Sequence, residues 1–502
     1  MTRFTYFAAA LIMAAPAASN ALDRVSVSSA GAANNGDSFG GSISDDGDTI
    51  VFSSASSALV PGDGNGKNDI FVYKVSSDTL TLISRSTTGV PANDNSGAPS
   101  ISGDGRYVVF ESGATDLVEN FVDGNGTSQF DDVPDIFVHD LNDGTTSLVS
   151  LSNTDSPSLQ SCKAPTINTT GQFVAFQAGA GLANDTEFDF PRQIYVRDLT
   201  NGTTTLVSVD TNGTAGSAES HRPDISADGT LIVFDTQSDL LDGGDTNEKN
   251  MAPVTDVYLR EVANATTTLI SLGNADQQGD DISWKANISG NGDLVAFTSE
   301  ATNFEPSGAI ADRSKVFLRD RGGAMETTTR ISTSVSGGDP DANTELPSFS
   351  ANGSYLVFQS GASNLLAPGI DTNGEFDIYY YDLNSMGLTR ISVADSGAQG
   401  NAGSYGPNVS NDGRVVFNTR STGFSASDND AVNDVYATIN RPGSPTTPPT
   451  GAPVDFAAKQ ALQAKVEKLQ KKLKALKRSG KKAKAKKFAK KIKRLNKLLK
   501  AL

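Results

Sequence analysis

The chain is poor in the residues on which many catalytic and metal centres depend. Its 502 residues include one cysteine, two histidines and one tryptophan. The single cysteine, Cys162, excludes an internal disulfide, and its place beside a repeated strand predicts a buried, inert thiol. The histidines, His139 and His221, belong to neither a His-Glu-x-x-His motif nor a Cys/His cluster. We therefore predict no catalytic residue and no certain cofactor from the sequence.

Long hydrophobic runs are also missing, apart from one short run near the N-terminus. Residues 1–21 combine Arg3, the apolar run 7–15 and the small-x-small site Ser19–Ala21, a pattern typical of a secretory signal peptide. The run is too short to span a bilayer comfortably. We therefore predict an exported protein without an integral membrane span, located in the periplasm, outside the cell or at the cell surface.

One hairpin pattern recurs along most of the chain. Pro99–Phe110 reads as a strand, a turn at Gly103–Gly105 and a second strand, because glycine accepts the positive φ of a tight turn. Seven such units end their second strand on a phenylalanine, and these lie 58 to 66 residues apart: Phe52, Phe110, Phe176, Phe234, Phe297, Phe358 and Phe417. A third strand such as Asp135–His139 follows each hairpin, and a fourth such as Ser147–Ser150 follows all but the last. Four antiparallel strands per repeat predict a β-propeller blade.

The missing fourth strand of the last unit has a counterpart at the other end of the repeats. Residues 23–28 match the fourth-strand pattern but have no blade before them. We predict an all-β, seven-bladed β-propeller in which the N-terminal strand Arg24–Ser28 completes blade seven, which would leave no free sheet edge at the seam. The alternative is six blades and a stray strand.

The repeat resembles the TolB-like β-propeller repeat family, a WD-repeat-like propeller. The residues that carry the resemblance are Ser102–Gly105, Val108–Phe110 and Asp135–Asp140, and it extends over about residues 23–440. It implies a propeller fold and leaves the function open, because such propellers serve many roles.

The composition changes after the repeats. We predict a signal peptide at 1–21, a seven-bladed propeller at 22–440, a Pro/Thr-rich linker at 441–453 and a Lys-rich segment at 454–502. Segment 454–502 holds 19 Lys/Arg and 2 acidic residues, so its charge is +17 and the rest of the chain carries −34 of the total −17.

Segment 454–502, called the tail below, has apolar residues at alternating spacings of four and three. These spacings predict two amphipathic helices that form a hairpin or coiled coil. The cations that we predict to bind an anionic surface are Lys471, Lys472, Lys477, Arg478, Lys481, Lys482, Lys486, Lys487, Lys490, Lys491, Lys493 and Arg494. Envelope polymers or lipid head groups are the expected counterparts. The alternative is self-association, or docking on the acidic propeller of the same chain.

The loops between second and third strands repeat Asp and Asn at close spacing. The two most compact sets predict calcium sites with oxygen ligands: Asp63, Asn65 and Asp69 in the first, and Asp371, Asn373 and Asp377 in the second. The alternative is that these side chains only cap turns. In the similar set Asp245, Asn247 and Asp256, we expect the last aspartate to lie too far along the chain for the same geometry.

Strand alternation places all these loops on one face of the disc. We expect a ring of carboxylates there, which would either attract cations and basic partners or only keep the protein soluble. The predicted function is a non-enzymatic scaffold whose propeller face binds a protein or polymer ligand and whose tail docks to an anionic envelope surface. The alternative is a polysaccharide or peptide hydrolase or lyase that uses carboxylates on the propeller face.

Overall fold

The protein is described by a computed structural model. It describes residues 22–28, 34–121, 133–179, 181–183, 191–241, 244–245, 247–249, 252–304, 312–323, 325–425, 428 and 432–438. Every element in this part of the chain is a β-strand, which agrees with the predicted all-β class. The predicted signal peptide, linker and helical tail lie outside the described residues.

Seven four-stranded antiparallel sheets form the blades. Blades one to three are β2 (Ser38–Ile43), β3 (Thr49–Ser54), β4 (Asp69–Lys74), β5 (Thr79–Leu82); β6 (Ser96–Ile101), β7 (Tyr107–Ser112), β8 (Asp135–Asp140), β9 (Thr145–Leu148); and β10 (Cys162–Ile167), β11 (Phe173–Ala178), β12 (Gln193–Asp198), β13 (Thr203–Leu206). Blade four is β14 (Ser220–Ile225), β15 (Leu231–Thr236), β18 (Asp256–Glu261) and β19 (Thr266–Leu269), with a small hairpin of β16 (Glu248–Lys249) and β17 (Ala252–Pro253) in one loop.

The last three blades complete the ring. Blades five and six are β20 (Ser283–Ile288), β21 (Leu294–Ser299), β22 (Lys315–Asp320), β23 (Thr327–Arg330); and β24 (Thr344–Phe349), β25 (Tyr355–Ser360), β26 (Asp377–Asp382), β27 (Gly387–Arg390). Blade seven is β28 (Ser404–Val409), β29 (Val415–Thr419), β30 (Asp434–Thr438) and β1 (Leu22–Arg24). The inner strands of successive blades contact one another, and β2 contacts β28, so they surround a central channel.

The N-terminal strand closes the ring, as the sequence predicts. Leu22 pairs with Thr438 and Arg24 with Tyr436, in antiparallel register. The strand ends at Arg24 rather than at the predicted Ser28, although the Val25 amide still donates to the Val435 carbonyl over 2.8 Å. Blade seven is therefore an antiparallel sheet built from both ends of the described chain.

The repeated hairpin turn is explained by a serine, an acidic or amide side chain and a glycine. In blade two, the Ser102 hydroxyl donates to Asp104 over 2.5 Å and accepts from the Tyr107 amide over 2.9 Å. The glycine adopts a left-handed φ and also lies against the preceding blade. A Cβ on Gly171 would lie 2.1 Å from Tyr107, so a larger residue fits neither the φ nor the space.

The hydrophobic core lies within and between the blades. The repeated phenylalanine of the second strand is fully buried and stacks on an aromatic residue of the third strand, as Phe52 does on Phe71 with ring centroids 5.6 Å apart. The same stack occurs in all seven blades, with centroids up to 6.3 Å apart. The fixed phenylalanine therefore marks the core of each blade.

Candidate functional site

The aspartates that begin the third strands are buried. In blade one, the Ser84 hydroxyl donates to Asp69 over 2.5 Å and accepts from the Ile70 amide over 3.0 Å. The same Asp–Ser pair occurs in four other blades: Asp135–Ser150, Asp256–Ser271, Asp377–Ser392 and Asp434–Ser26. These carboxylates expose at most 2% of their surface. The expectation of an exposed ring is therefore wrong for these five aspartates, which hold the fourth strand to the third.

Burial shifts the proton affinity of these carboxylates. Loss of solvation raises the pKa of Asp69 from 3.8 to about 6 and that of Asp256 to about 7. Burial also raises the pKa of Asp377 and of Asp434, where a nearby arginine opposes the shift. The blades thus differ in whether a cation balances the buried aspartate.

The first predicted calcium set is brought together by the fold. The Asn65 side-chain amide donates to Asp69 over 2.8 Å and to the Ala92 carbonyl over 3.0 Å. The Asn65 oxygen accepts from the Lys67 amide over 3.0 Å, which is the turn-capping arrangement. Asp63 is partly buried near this pair. The caps are therefore present, and calcium binding here stays a prediction.

The second predicted calcium set surrounds an arginine. The Arg390 guanidinium lies 3.5 Å from Asp371 and 3.3 Å from Asp377, and all three side chains are buried. Asn373 points its amide to the Gly400 carbonyl, 3.2 Å away. A cationic side chain thus already lies between the two carboxylates, and this argues on charge grounds against calcium in blade six.

The inner strands share a bulge that shapes the channel. In every inner strand the pairing register shifts between the second and fifth residues. The third residue has a left-handed φ of +44° to +64° in all seven: Gly40, Ala98, Ala164, Arg222, Lys285, Leu346 and Gly406. Five of these are not glycine, so each carries backbone strain.

Side chains of the preceding blade hold these strained residues. Glu111 accepts from the Ala164 amide over 3.3 Å, and Asp235 accepts from the Lys285 amide over 3.2 Å. Gln359 accepts from the Gly406 amide over 3.0 Å. These three hydrogen bonds therefore link neighbouring blades at the bulges.

The second and third residues of the inner strands form one group, called the channel mouth below. Its cations are Lys163, Arg222 and Lys285, and its aromatic residues are Phe39, Trp284 and Tyr405. Arg222 binds Asp235 through two nitrogens, 3.1 and 3.2 Å from the carboxylate, and Lys285 lies 2.7 Å from Glu345. Lys163 is exposed. The channel mouth thus combines charged and apolar surface.

Two of the three aromatic residues of the channel mouth are exposed. Phe39 exposes 44% and Tyr405 40% of their surface, and the Tyr405 ring packs on Phe376 with centroids 5.7 Å apart. These two belong to the adjacent blades one and seven, whereas the partly buried Trp284 and the cations Lys163, Arg222 and Lys285 belong to blades three to five. The exposed aromatic residues and the cations of the channel mouth therefore lie on different blades.

Below the channel mouth, polar side chains link blades three to six. Asp224 accepts from the Asn287 side-chain amide over 2.7 Å and from the Ile288 amide over 2.8 Å. Asn287 in turn accepts from the Phe349 amide over 2.6 Å. Burial raises the pKa of Asp224 to about 6. This polar girdle holds the inner strands in register with one another.

His221 and Trp284 lie within the inner strands β14 and β20, and His221 contacts Gln177 over 3.0 Å. His139 is buried beside Thr146, and this burial lowers its pKa. Cys162 is buried as predicted. The one sequence pattern that marks the channel mouth is a proline directly after the left-handed residue, and five of the seven inner strands have it.

Two further observations bear on chemistry. Among the described residues, one group of three carboxylates has oxygens within 4.8 Å of one another, Asp281, Glu300 and Asp312, and it lies outside the inner strands. In that same part of the chain, no helix is long and apolar enough to cross a membrane.

Comparison with known proteins gives structural neighbours only. No family model matches the chain, and no curated protein matches it. TolB from Acinetobacter baumannii is 16% identical, with a TM-score of 0.38 over 69% of this chain and 64% of that one, so this chain spans less than two thirds of that TolB. The β-propeller domain of the trilobed protease from Pyrococcus furiosus is 11% identical, with a TM-score of 0.47 over 82% of this chain and 99% of that one.

A third neighbour carries another activity in its name. Oligogalacturonate lyase from Vibrio parahaemolyticus is 12% identical, with a TM-score of 0.45 over 83% of this chain and 92% of that one. A TolB, a protease domain and a lyase are thus all similar to this seven-bladed propeller, and these similarities do not decide between binding and catalysis.

Proposed function

We propose that the chain is an exported, non-enzymatic binding scaffold. Its channel mouth binds a protein or polymer ligand, and its tail docks to an anionic envelope surface. The observation that carries the proposal is that the inner strands carry the exposed aromatic residues Phe39 and Tyr405 in blades one and seven, and cations in blades three to five. Such a surface suits a ligand that carries both apolar and anionic groups.

The contacts of the channel mouth favour binding over catalysis. The Asp235 carboxylate is fully buried and already bound by Arg222, and Glu345 is bound by Lys285. Glu111 accepts a backbone amide. Carboxylates held in this way fix the shape of the opening rather than exchange protons with a substrate.

A ligand array tests the channel mouth. Purified protein is applied to arrays of peptides and anionic glycans, and a specific signal is expected to fall at least tenfold in Lys163→Ala and in Trp284→Ala. Arg420→Ala is the matched control, because Arg420 is an exposed cation of blade seven that lies outside the channel mouth. Equal signals from the wild type and both channel-mouth variants would contradict the proposal.

Vesicle retention tests the tail. The charge of +17 in 454–502 predicts that the full chain is retained on phosphatidylglycerol vesicles at low salt and released as salt rises. Deletion of 454–502 is expected to abolish retention without changing the unfolding curve of the propeller. Neutral phosphatidylcholine vesicles are the control. Undiminished retention of the truncated protein on phosphatidylglycerol vesicles would contradict this part of the proposal.

The enzymatic alternative, a polysaccharide or peptide hydrolase or lyase, has weaker support. Residues Gly36–Gly40 spell Gly-x-Ser-x-Gly, the spacing of a hydrolase nucleophile. However, Ser38 is buried at the start of β2 and is hydrogen-bonded to Ser54 over 2.8 Å and to Asn34 over 2.9 Å. Turnover of oligosaccharide or peptide libraries that is lost in Glu111→Gln or Glu345→Gln would favour this alternative.

A further inference from the structure

We propose that blade four binds a calcium ion through Asp245, Asn247 and Asp256, in the place that an arginine side chain takes in blades six and seven. This site differs from both sets that the sequence predicts, and it is independent of the proposed ligand-binding function. It follows from comparing equivalent atoms in three blades of the same chain.

The three blades share a tyrosine–aspartate contact. A tyrosine of the third strand donates to the Oδ2 atom of an aspartate in the preceding loop. The pairs are Tyr258–Asp245 at 2.8 Å, Tyr379–Asp371 at 2.7 Å and Tyr436–Asp428 at 2.6 Å. Since the same oxygen is held by the same donor, the other carboxylate oxygen, Oδ1, is in an equivalent position in each blade.

In blades six and seven, that second oxygen faces a guanidinium. Arg390 Nη1 lies 3.5 Å from Asp371 Oδ1, and Arg24 Nη1 lies 3.5 Å from Asp428 Oδ1. Each arginine also lies 3.3 Å from the buried strand aspartate, Asp377 or Asp434. One cation therefore bridges the loop and strand carboxylates in each of these blades.

Blade four has the two carboxylates and no such arginine. Tyr379 pairs with Arg390 and Tyr436 with Arg24, but the residue that pairs with Tyr258 in the same register is Leu269. Among the side chains that the structure describes, no lysine or arginine forms an ion pair with Asp245 or Asp256. In that part of the chain, the two neighbouring carboxylates thus lack the positive charge that their counterparts have.

Two oxygens in blade four also lack any hydrogen-bond donor. Asp245 Oδ1 and Asn247 Oδ1 are buried atoms without a partner. Asn247 adjoins the strand aspartate, since its amide nitrogen donates to Asp256 over 2.9 Å, and Asp256 is fully buried. The distance matches the 2.8 Å of Asn65 and Asp69, so the longer loop of blade four reaches the same geometry, contrary to the sequence-based expectation.

Calcium is the cation that fits these groups. It prefers carboxylate and amide oxygens, tolerates irregular geometry and has the double charge that balances two aspartates. Buried acceptors without donors and buried carboxylates without a counter-ion are both unfavourable, and one cation relieves both. Blade one has Leu82 in the arginine position, but Phe71 in place of the tyrosine leaves Asp63 without the hydroxyl donor. Blade four therefore offers the more complete site.

Calorimetry on the full chain tests the site. Protein stripped with EDTA is titrated with calcium chloride, and binding is expected, with a rise in Tm of about 2 to 4 °C at a hundredfold excess over Kd. Asp245→Asn is expected to weaken binding at least tenfold. Asp371→Asn is the matched control, because it changes the equivalent aspartate of a blade that has its arginine, and it should leave the affinity unchanged.

The substitution Leu269→Arg gives an independent test. The variant has the arginine that blades six and seven carry at this position, so we expect it to fold. Its Tm without calcium should be higher than that of the wild type, and it should not bind calcium. It keeps the proposal falsifiable even if Asp245→Asn fails to fold. Absence of calcium heat and of any Tm change in the wild type would overturn the proposal, and so would unchanged calcium binding in a folded Leu269→Arg variant.

Discussion

Blades four and six share a four-stranded sheet, a tyrosine–aspartate contact and a buried Asp–Ser pair, yet they differ in the residue that pairs with the tyrosine. Leu269 occupies this position in blade four and Arg390 in blade six. The tyrosine–aspartate and Asp–Ser hydrogen bonds are therefore present whether or not an arginine balances the charge of the buried aspartates. These hydrogen bonds recur from blade to blade, whereas the arginine does not.

We expect the largest loss of stability when the arginine of blade six is removed. Arg390→Leu would give blade six the side chain of blade four and leave Asp371 and Asp377 without their cation. Because an uncompensated buried charge is costly, we expect the free energy of unfolding to fall by about 3 to 5 kcal/mol in urea titrations. Arg420→Leu, which removes a largely exposed ion pair with Asp37, should cost less than about 1 kcal/mol. Equal losses from both variants would contradict the assignment.

A smaller effect should separate the two tyrosines. Tyr258→Phe and Tyr379→Phe each remove the hydroxyl that donates to a loop aspartate. Asp371 keeps Arg390, whereas Asp245 keeps no cation among the described residues. In EDTA, we expect losses of about 2 to 3 kcal/mol for Tyr258→Phe and about 1 kcal/mol for Tyr379→Phe. The order of the two unfolding midpoints checks this, and the reverse order would refute it.

The smallest effect concerns the inner strands of the same two blades. The fifth residue is Asp224 in blade four and Ser348 in blade six, and burial raises the pKa of Asp224 from 3.8 to about 6. A folded-state pKa above the unfolded value means that the folded state binds the proton more tightly. Its contribution to stability is therefore complete below about pH 4 and is lost as the pH rises through about 6.

Unfolding curves at two pH values measure this contribution. The stability difference between the wild type and Asp224→Asn should shift by about 1 to 2 kcal/mol in favour of the wild type between pH 7.5 and pH 4.5. Ser348→Ala is the control at the equivalent position, and its difference from the wild type should not change with pH. A pH-independent difference for Asp224→Asn would show that its carboxyl has an ordinary pKa in the folded state.

The sequence was sufficient to predict the blade count and the closure of the ring. Both follow from local patterns, because turn glycines such as Gly105 and core residues such as Phe110 are required at fixed positions in each repeat. The missing fourth strand of blade seven predicts an N-terminal strand at Arg24–Ser28, and the pairing of β1 with β30 confirms the closure of the ring, with the strand at Leu22–Arg24 instead.

The channel mouth and the internal charges were harder to predict. The channel mouth depends on a bulge whose left-handed residue is Lys285 in one blade and Ala164 in another, so the type of that residue does not mark it, and the proline that follows it is absent from two blades. The carboxylates of Asp69 and Asp256 are hydrogen-bonded by serines that lie just after the fourth strand, fifteen residues later in the chain. Spacing within a loop could not show whether Arg390 or Leu269 would face the aspartates.

The closure of the ring by β1 would limit where the predicted signal peptide can be cleaved. The strand begins at Leu22, and the predicted signal-peptide cleavage site ends at Ala21, so a cut even three residues further along would remove the strand and the buried guanidinium of Arg24. The partner strand lies more than 400 residues away. During export, β1 would therefore emerge first but could not pair until the last repeat had followed. In a chain that ends before residue 438, the unpaired edges of β1 and blade seven would be exposed and prone to aggregation.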